Sequence, residues 1–128
     1  MKHIPIKTKY GIIHGRDAIY LDRMLQTADR LKFVGEINLR LCAEYSGDFY
    51  WVHYNVEFID VPEFKTWTLD NYPSENSLVS SFDIVESSEW PRRYENRQLH
   101  HYVLATYDYV YELLAGRLEL EFGEMRRS

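Results

Sequence analysis

The side chains that could do chemistry in this chain begin with five histidines, and their spacing decides whether they could hold a metal ion. No two of them have the i, i+4 or short-loop spacing that brings two imidazoles to one metal from a single element. The adjacent pair His100-His101 would point to opposite faces of a strand, or about 100° apart on a helix, so at most one of them joins any site. We therefore expect no zinc site. The five are His3, His14, His53, His100 and His101.

Carboxylates and serines are the next candidates for catalysis. Two carboxylates facing each other across a cleft could perform acid–base chemistry, and the candidates are Asp70, Asp83, Glu86, Asp108 and Glu112. The serines considered as nucleophiles are Ser77, Ser80, Ser81, Ser87 and Ser88. None of these serines lies in a Gly-x-Ser-x-Gly elbow, so we expect them in turns, caps and edge strands. No catalytic residue is assigned, and a non-enzymatic protein is favoured over an enzyme.

The single cysteine, Cys42, could be a nucleophile if a base or a cation lay beside it. The register derived below places Cys42 on an outer strand face, opposite Trp51 and diagonal to His53. The favoured interpretation is a small side chain that fills a strand position. One cysteine cannot form an internal disulfide, which fits a reducing compartment and predicts a cytoplasmic protein. Gly11 and Gly15 are followed by no Lys-Ser/Thr pair, so no nucleotide, cofactor or metal is expected.

A long antiparallel hairpin, about Leu31–Ile59, is the element that would position these groups. Residues of alternating polarity run on either side of Tyr45-Ser46-Gly47-Asp48, and the parity of the apolar positions inverts between the two runs. A turn centred on Ser46-Gly47 would pair residues whose numbers sum to about 93, so that apolar side chains meet apolar side chains. That register predicts the pairs Ile37 with Val56, Leu39 with Tyr54 and Leu41 with Val52.

The outer face of this hairpin carries the predicted binding residues. Aromatic, amide and guanidinium groups are enriched at binding hot spots, and exposed aromatic rings call for some cover. The cover could be the C-terminal third of the chain itself, or a partner protein or small ligand. The predicted binding residues are Trp51, His53, Arg40, Asn38, Asn55 and Phe49.

An amphipathic helix is predicted at about Ala18–Leu31, with Asp17 as its N-cap. Its apolar arc would pack against the inner face of the hairpin. Short strands are predicted within Ile4–Ile13, at Phe64–Leu69 and at Leu78–Val85, with a loop at Asn71-Tyr72-Pro73-Ser74 between the last two. The expected fold class is α+β and β-dominated, with an antiparallel, meander-like sheet and one N-terminal helix.

The C-terminal third fits two structures. A second helix at about Leu99–Ala115 has a coherent apolar face, with Gly116 as its C-terminal cap. Strands are slightly favoured by the density of β-branched and aromatic residues. In that case a turn at Ala115-Gly116 would pair Tyr111 with Leu120, and Glu112 would face Glu119.

Length and composition limit the function. The 128 residues predict a single globular domain, 1–128, and the apolar content of 45% predicts a folded chain. A net charge of −5 argues against nucleic-acid binding, and the basic group Pro91-Arg92-Arg93 with Arg97 is interpreted as a solvated loop. No segment approaches the roughly 20 apolar residues of a membrane span.

Three functions of different classes follow. The first is a non-enzymatic interaction module, such as a small acidic adaptor or a toxin-neutralising, immunity-like protein, whose acidic charge and aromatic face capture a basic partner. The second is a small-ligand-binding domain or an enzyme, with a pocket between the sheet and the helix. The third is a homodimeric subunit without a separate activity, which a measurement of mass in solution would test.

Overall fold

The computed structural model describes residues 2–73 and 78–127, and it places nine strands of this part of the chain in two antiparallel sheets. Short 3-10 turns at Leu39–Leu41, Leu69–Asn71 and Trp90–Arg93 interrupt the strands. Among the described residues, no helix is long and apolar enough to cross a membrane. The strands are β1 (Lys2–Pro5), β2 (Ile19–Thr27), β3 (Arg30–Asn38), β4 (Trp51–Ile59), β5 (Phe64–Thr68), β6 (Phe82–Glu86), β7 (His100–Ala105), β8 (Tyr109–Ala115) and β9 (Arg117–Arg126).

The two sheets pack face to face. The five-stranded sheet has the order β1-β6-β7-β8-β5, and the four-stranded sheet has the order β2-β3-β4-β9. Aromatic rings from both sheets meet between them: Phe33 of β3 lies edge-on to Tyr111 of β8 at 4.9 Å, and Phe58 of β4 lies 5.3 Å from Tyr102 of β7. Since alternate residues of every strand point to opposite faces, each sheet also has an outer face.

The predicted N-terminal helix, Ala18–Leu31, is wrong: its residues form β2, the turn at Ala28-Asp29 and the start of β3. A bulge between Leu21 and Arg23 shifts the alternation of β2 by one residue. The side chains on one face are therefore not spaced regularly by two residues, and their spacing resembles a helical period. For this reason the sequence pattern predicted a helix where the structure has a strand. Gly35 of β3 is needed here, since a Cβ at that position would lie 1.9 Å from the Tyr20 carbonyl oxygen.

The long hairpin is present, but its predicted register is wrong by four residues. Ile37 pairs with Val52, and Phe33 pairs with Val56. The strands end at Asn38 and Trp51 because the Asn38 side chain accepts a hydrogen bond from the Arg40 backbone nitrogen and starts a 3-10 turn. A shift by an even number preserves parity, so the apolar inner face is the predicted one, and Leu31, Phe33, Ile37, Val52, Tyr54, Val56 and Phe58 are buried.

The C-terminal third is β-structure, so the alternative helix at Leu99–Ala115 is wrong. The predicted pairing across Ala115-Gly116 is also wrong, because β8 pairs with β7 and β5 while β9 pairs with β4. Gly116 is the point at which the chain passes from one sheet to the other, and its nitrogen donates to the Ile59 carbonyl. The predicted clash between Glu112 and Glu119 does not arise, because these residues lie in different sheets.

The α+β meander is therefore corrected to two packed antiparallel sheets, and the five-stranded sheet takes the place of the predicted helix over the hairpin. The strand predicted at Phe64–Leu69 corresponds to β5, whereas the one predicted at Leu78–Val85 begins only at Phe82 as β6. Within Ile4–Ile13 there are the end of β1 and two isolated bridges, Thr8 to Gly11 and Ile13 to Cys42. Ser74 and Ser77 lie outside the described residues.

Candidate functional site

The outer face of the five-stranded sheet holds three buried ionisable side chains. Asp83 of β6, His101 of β7 and Glu112 of β8 alternate with core residues that point toward the other sheet, so strand parity alone directs them outward. Asp83 is fully buried, and His101 and Glu112 are each 6% exposed. Buried charges need partners, which makes this face the place to look for chemistry.

Two segments cover this face. A second apolar cluster, built on Val85, Val103, Ala105 and Val110, packs against the side chains of Trp67, Leu69, Tyr72 and Leu78. On the other side, the chain after β6 turns at Ser87, whose φ is 59°, and continues into the 3-10 turn Trp90–Arg93. His101 and Glu112 lie where the two covers meet.

Ser88, His101 and Glu112 form a row of a hydroxyl, an imidazole and a carboxylate. Ser88 Oγ and His101 Nδ1 are hydrogen bonded at 2.8 Å. On the other side of the ring, His101 Nε2 lies 3.5 Å from Glu112 Oε1, which is an ion-pair distance. Within the described residues this nitrogen makes no hydrogen bond of good geometry, so the attraction between the two groups is chiefly electrostatic.

The Glu112 carboxylate is held by two further side chains. The Tyr72 hydroxyl donates to Oε1 at 3.0 Å, and the Trp67 indole nitrogen donates to Oε2 at 3.4 Å. Burial by itself would raise the pKa of Glu112, but His101, Tyr72 and Trp67 together hold that pKa below its ordinary value. Glu112 is therefore ionised at neutral pH, and burial beside this carboxylate raises the pKa of the Tyr72 hydroxyl.

Trp90 forms a wall next to His101. Its ring stands edge-on to the imidazole at 5.1 Å, and its backbone nitrogen donates to Ser88 Oγ at 3.3 Å. Its indole nitrogen donates to Glu63 at 3.1 Å, and the Tyr94 hydroxyl donates to the same carboxylate oxygen at 2.8 Å. The hydrogen bond from Tyr94, opposed in part by burial, and the one from Trp90 lower the pKa of Glu63.

These groups open into a surface groove of about 600 Å³, which we call the Trp90 groove. Its volume lies in the range of small-molecule sites. The Lys65 ammonium lies 4.5 Å from the centre of the Trp90 ring, so the groove carries a cation beside its aromatic wall. The residues that line it are Lys65, Ser87, Ser88, Glu89, Trp90, Arg93, His101 and Glu112.

The same outer face carries a second histidine and carboxylate, but they are enclosed. His3 Nδ1 lies 3.4 Å from Asp83 Oδ2, and the other oxygen of Asp83 accepts a hydrogen bond from the Ser80 hydroxyl. Asp83 Oδ2 also accepts from the backbone nitrogen of Val79 at 3.1 Å. Because the Asp83 side chain has no exposed surface, this pair holds β1 and the Ser80 segment together and offers nothing to a ligand.

Three of the binding residues predicted from the sequence share the outer face of the four-stranded sheet. Trp51 and Asn55 are half-buried there and His53 is exposed between them. The Trp51 ring stands edge-on to Tyr20 at 5.4 Å, and the Arg126 guanidinium lies 5.3 Å from its centre. β9 extends this sheet beside β4 and does not lie over the row, although cover by the C-terminal third was one of the two possibilities that the sequence left open.

The other three predicted binding residues lie at the end of β3 or in the loop after it. Asn38 is buried, and its side chain caps the 3-10 turn. The Arg40 guanidinium stacks over Tyr50 at 4.3 Å, and its Nε donates to the Asn38 side-chain oxygen at 3.3 Å. Phe49 lies under Arg127, with 5.2 Å between the guanidinium and the ring centre. Asn38 is the direct cross-strand neighbour of Trp51, whereas Arg40 and Phe49 lie in the segment between β3 and β4.

Cys42 is not on the outer face opposite Trp51, as the predicted register required. It is 5% exposed and belongs to the core between the sheets, next to its bridge partner Ile13. Burial raises the pKa of its thiol to about 11, and its sulfur donates to the Asn38 carbonyl at 3.7 Å. The thiol is therefore neutral at pH 7 and is not a nucleophile.

Ser88, His101 and Glu112 were each considered from the sequence, but nothing there joined them. One signal was present: if residues 99–115 are strands, Glu112 stands between Val110 and Leu114 on a face that is otherwise apolar. A lone carboxylate on such a face is buried with partners or functional. No comparable sequence signal shows that the Ser87–Arg93 segment covers this face. Its position depends on a turn that local sequence patterns do not predict.

The fold and the site define a two-sheet antiparallel β-protein with a buried histidine–carboxylate pair that opens on a groove. No protein-family model matches the chain, and no curated protein and no solved structure shows significant similarity to it. Among the described residues, no group of three or more His, Cys, Asp or Glu side chains could hold a metal ion.

Proposed function

We propose that this protein binds a small organic molecule in the Trp90 groove. The observation that carries the proposal is the convergence of Ser88, His101 and Glu112 at the base of a groove large enough for such a ligand. A cavity with a few convergent polar groups and a carboxyl of perturbed pKa is typical of binding sites. The sequence had suggested a pocket between a sheet and a helix; the proposed pocket lies instead between a sheet and a 3-10 turn.

The side chains of the groove indicate the chemistry of the ligand. Trp90 offers an apolar ring, while the Lys65 ammonium offers hydrogen-bond donors that suit a carbonyl or carboxylate oxygen. We therefore propose a ligand with a flat apolar part and a carbonyl or carboxylate group. The single cysteine, unpaired and buried, supports a reducing compartment, so we keep the cytoplasm as the proposed location.

Nuclear magnetic resonance tests this proposal, because the indole N–H of Trp90 lies at the groove and that of Trp51 lies on the other sheet. Benzoate is titrated into ¹⁵N-labelled protein to about millimolar concentration, with benzamide as its neutral counterpart. We expect the Trp90 signal to shift and the Trp51 signal to stay. Lys65→Gln should weaken the binding of benzoate more than that of benzamide, and Lys32→Gln on the other sheet is the matched control. If neither probe moves the Trp90 signal, the groove is not a site for this ligand class.

The first function drawn from the sequence, an interaction module, is a second candidate. It is supported by the outer face of the four-stranded sheet, where Trp51, His53 and Asn55 lie in a row of half-buried and exposed side chains. Carboxylates border the row: Glu57 and Glu119 are paired neighbours across β4 and β9, and Glu121 stands opposite Asn55. Arg30 pairs with Glu57 at 3.3 Å and Arg117 pairs with Glu119 at 3.7 Å, so a basic partner protein would compete with these ion pairs for the carboxylates.

A pull-down from the native host with Glu119→Lys and Trp51→Ala tests the second candidate, with Lys65→Gln as a control on the opposite side of the molecule. We expect a partner retained by wild type and Lys65→Gln to be lost with the other two variants. A partner captured equally by all four proteins would count against this face.

Sedimentation tests the third function drawn from the sequence, a homodimeric subunit. A monomeric mass at high micromolar protein concentration would exclude the homodimer.

A further inference from the structure

We propose that the Trp90 groove is an acyl-transfer site in which Ser88 is the nucleophile and His101 its general base, acting on small carboxylic esters. The inference rests on the proposed function, because an ester must first bind in the groove. It is carried by the geometry of one row of side chains, and each member of that row has a separate structural reason to be where it is.

The first step concerns the hydroxyl and the imidazole. Ser88 Oγ lies 2.8 Å from His101 Nδ1 and accepts a hydrogen bond from the Trp90 backbone nitrogen. Since that backbone donor occupies a lone pair of Oγ, the hydroxyl proton is free to point at His101. A nucleophile and a base within hydrogen-bond reach are the first requirement of such a site.

The second step concerns the carboxylate. The tautomer that suits both neighbours has a bare Nδ1 toward Ser88 and a protonated Nε2 toward Glu112, 3.5 Å away. When Nδ1 takes the serine proton, the ring becomes a cation beside an ionised carboxylate, in a region where both side chains are less than a tenth exposed. Burial strengthens that attraction, so Glu112 is a positioning residue that stabilises the charged imidazole.

Many serine hydrolases use the opposite ring nitrogens, with Nε2 toward serine and Nδ1 toward the carboxylate. The two nitrogens can exchange these roles, because in either tautomer one accepts a proton while the other donates. β7 and β8 position His101 and Glu112 on one rigid sheet, and the turn at Ser87 brings Ser88 to the exposed side of the ring. The inverted arrangement therefore follows from the topology.

The reaction balances without any group beyond ester and water. Ser88 Oγ bonds to the carbonyl carbon while its proton moves to His101 Nδ1, and the carbonyl electron pair moves onto the oxygen. That oxyanion reforms the carbonyl and expels the alcohol, which takes the proton from Nδ1. Water then attacks the acyl-serine, gives a proton to His101, and releases the carboxylic acid as Ser88 recovers its proton. Lys65 and Arg93 are the cations that line the groove and can face the negative oxygen.

The test uses two probes on the folded protein. The first, p-nitrophenyl acetate, releases coloured nitrophenolate; the second, a fluorophosphonate, marks a reactive serine covalently as fluoride leaves and the serine proton passes to His101. We expect mass spectrometry to place the fluorophosphonate on Ser88. Ser88→Ala should abolish labelling, and His101→Ala should lower the rate of acetate release by about 100-fold or more. Ser46→Ala and His14→Ala are the matched controls, since both residues are exposed and remote from the groove.

Glu112→Gln separates a positioning role from a purely structural one. Without the carboxylate charge the His101 cation is less stable, so the pH midpoint of the hydrolysis rate should move to lower pH. Ser88 and Trp90 from the turn and Glu112 from β8 face the imidazole, with Tyr72 behind the carboxylate, and the other charged groups that line the groove with it are Lys65, Glu89 and Arg93. A lower rate with an unchanged midpoint would show that Glu112 acts only on folding.

The outcomes distinguish the two proposals. If benzoate shifts the Trp90 signal but Ser88 is not labelled, the groove binds ligands and the acyl-transfer inference is wrong. If Ser88 is labelled and benzoate does not bind, the inference holds and the ligand class of the proposed function is wrong. Ser88→Cys covers the case in which Ser88→Ala does not fold, because a thiol retains a nucleophile and should restore ester cleavage. Labelling of wild type on other residues alone would overturn the inference.

Discussion

The outer faces of the two sheets each bring a histidine next to a glutamate, yet only one of the pairs is placed for chemistry. His53 and Glu36 are paired neighbours on β4 and β3, where His53 is exposed and the Glu36 carboxylate is taken by Arg126 in two hydrogen bonds of 2.7 Å. His101 and Glu112 are buried under the Trp90 turn and the segment around Tyr72. The residue types are the same, and burial with directed partners makes the difference.

The electrostatics of the two glutamates show what that difference means. Both have a pKa below the ordinary value, but for different reasons. The pKa of Glu36 is lowered first by its hydrogen bond with Arg126, against an opposing effect of burial, and further by the charges of Arg126 and His53. For Glu112, burial opposes ionisation, and neutral donors and a histidine overcome it. A carboxylate that is held by neutral donors keeps its negative charge, and that charge can stabilise a protonated imidazole beside it.

Removing each carboxylate is the strongest test of this comparison. Glu112→Ala leaves the buried hydrogen-bond donors of Tyr72 and Trp67 without an acceptor. We expect this substitution to lower the free energy of unfolding by about 2–4 kcal/mol. Glu36→Ala removes a surface pair, so its loss should be several-fold smaller. Urea denaturation of both variants measures the two losses. Equal losses would show that the buried pair has no special role in the fold.

The hydroxyl of Tyr72 comes next in expected size. Tyr72→Phe removes the 3.0 Å hydrogen bond to Glu112 while keeping the ring next to Trp67, so we expect a loss of about 1–2 kcal/mol in the same assay. Tyr109→Phe is the matched control, because Tyr109 is 42% exposed and should change stability by about 0.5 kcal/mol or less. A result in which the two variants behave alike would mean that the cover around Tyr72 does not depend on Glu112.

The sequence could predict those features of the two outer faces that depend on residues close together in the chain, and not those that depend on distant residues. Alternation identified the inner face of β3 and β4, because parity needs only neighbouring residues. It missed β2, because the bulge at Leu21 to Arg23 breaks the period of two. It also paired β8 with β9, whereas β9 pairs with β4 and β8 pairs with β5, both far away in the chain, as well as with the neighbouring β7. Sheet pairing at that distance leaves no local pattern.

The candidate site was harder to predict for the same reason. Strand parity puts His101 and Glu112 on one outer face once residues 99–115 are taken as strands. The third member, Ser88, comes from a turn, and the donors to Glu112 come from β5 and from Tyr72. Five segments therefore meet at the candidate site: β5, the segment around Tyr72, the turn at Ser88, β7 and β8. The binding residues predicted on β4, by contrast, could be recognised from the sequence because they alternate along one continuous strand.

The pH dependence of stability is a smaller effect that sharpens the comparison. The pKa of Glu112 in the folded protein is below the value of 4.5 that it has when exposed, so the unfolded state binds more protons as the pH falls. The stability that Glu112 contributes is therefore complete above about pH 4.5 and is lost as the pH falls through its folded pKa. We expect the difference in unfolding free energy between wild type and Glu112→Gln to shrink below that pH. A difference that stayed constant down to strongly acid pH would contradict the lowered pKa.

The smallest effect should come from His53→Ala, and it bears on both outer faces. His53 is exposed, and the Glu36 carboxylate beside it already has Arg126 as its partner, so the imidazole has little left to stabilise. We expect a change of about 0.5 kcal/mol or less in urea denaturation, whereas His101→Ala leaves Glu112 buried beside a cavity and should cost several times more. Because His53→Ala keeps the fold intact, any partner that this variant loses was held by the four-stranded sheet itself. A large loss of stability from His53→Ala would instead show that this side chain stabilises the fold. The outer face of the four-stranded sheet would then have no claim to be a surface available to a partner.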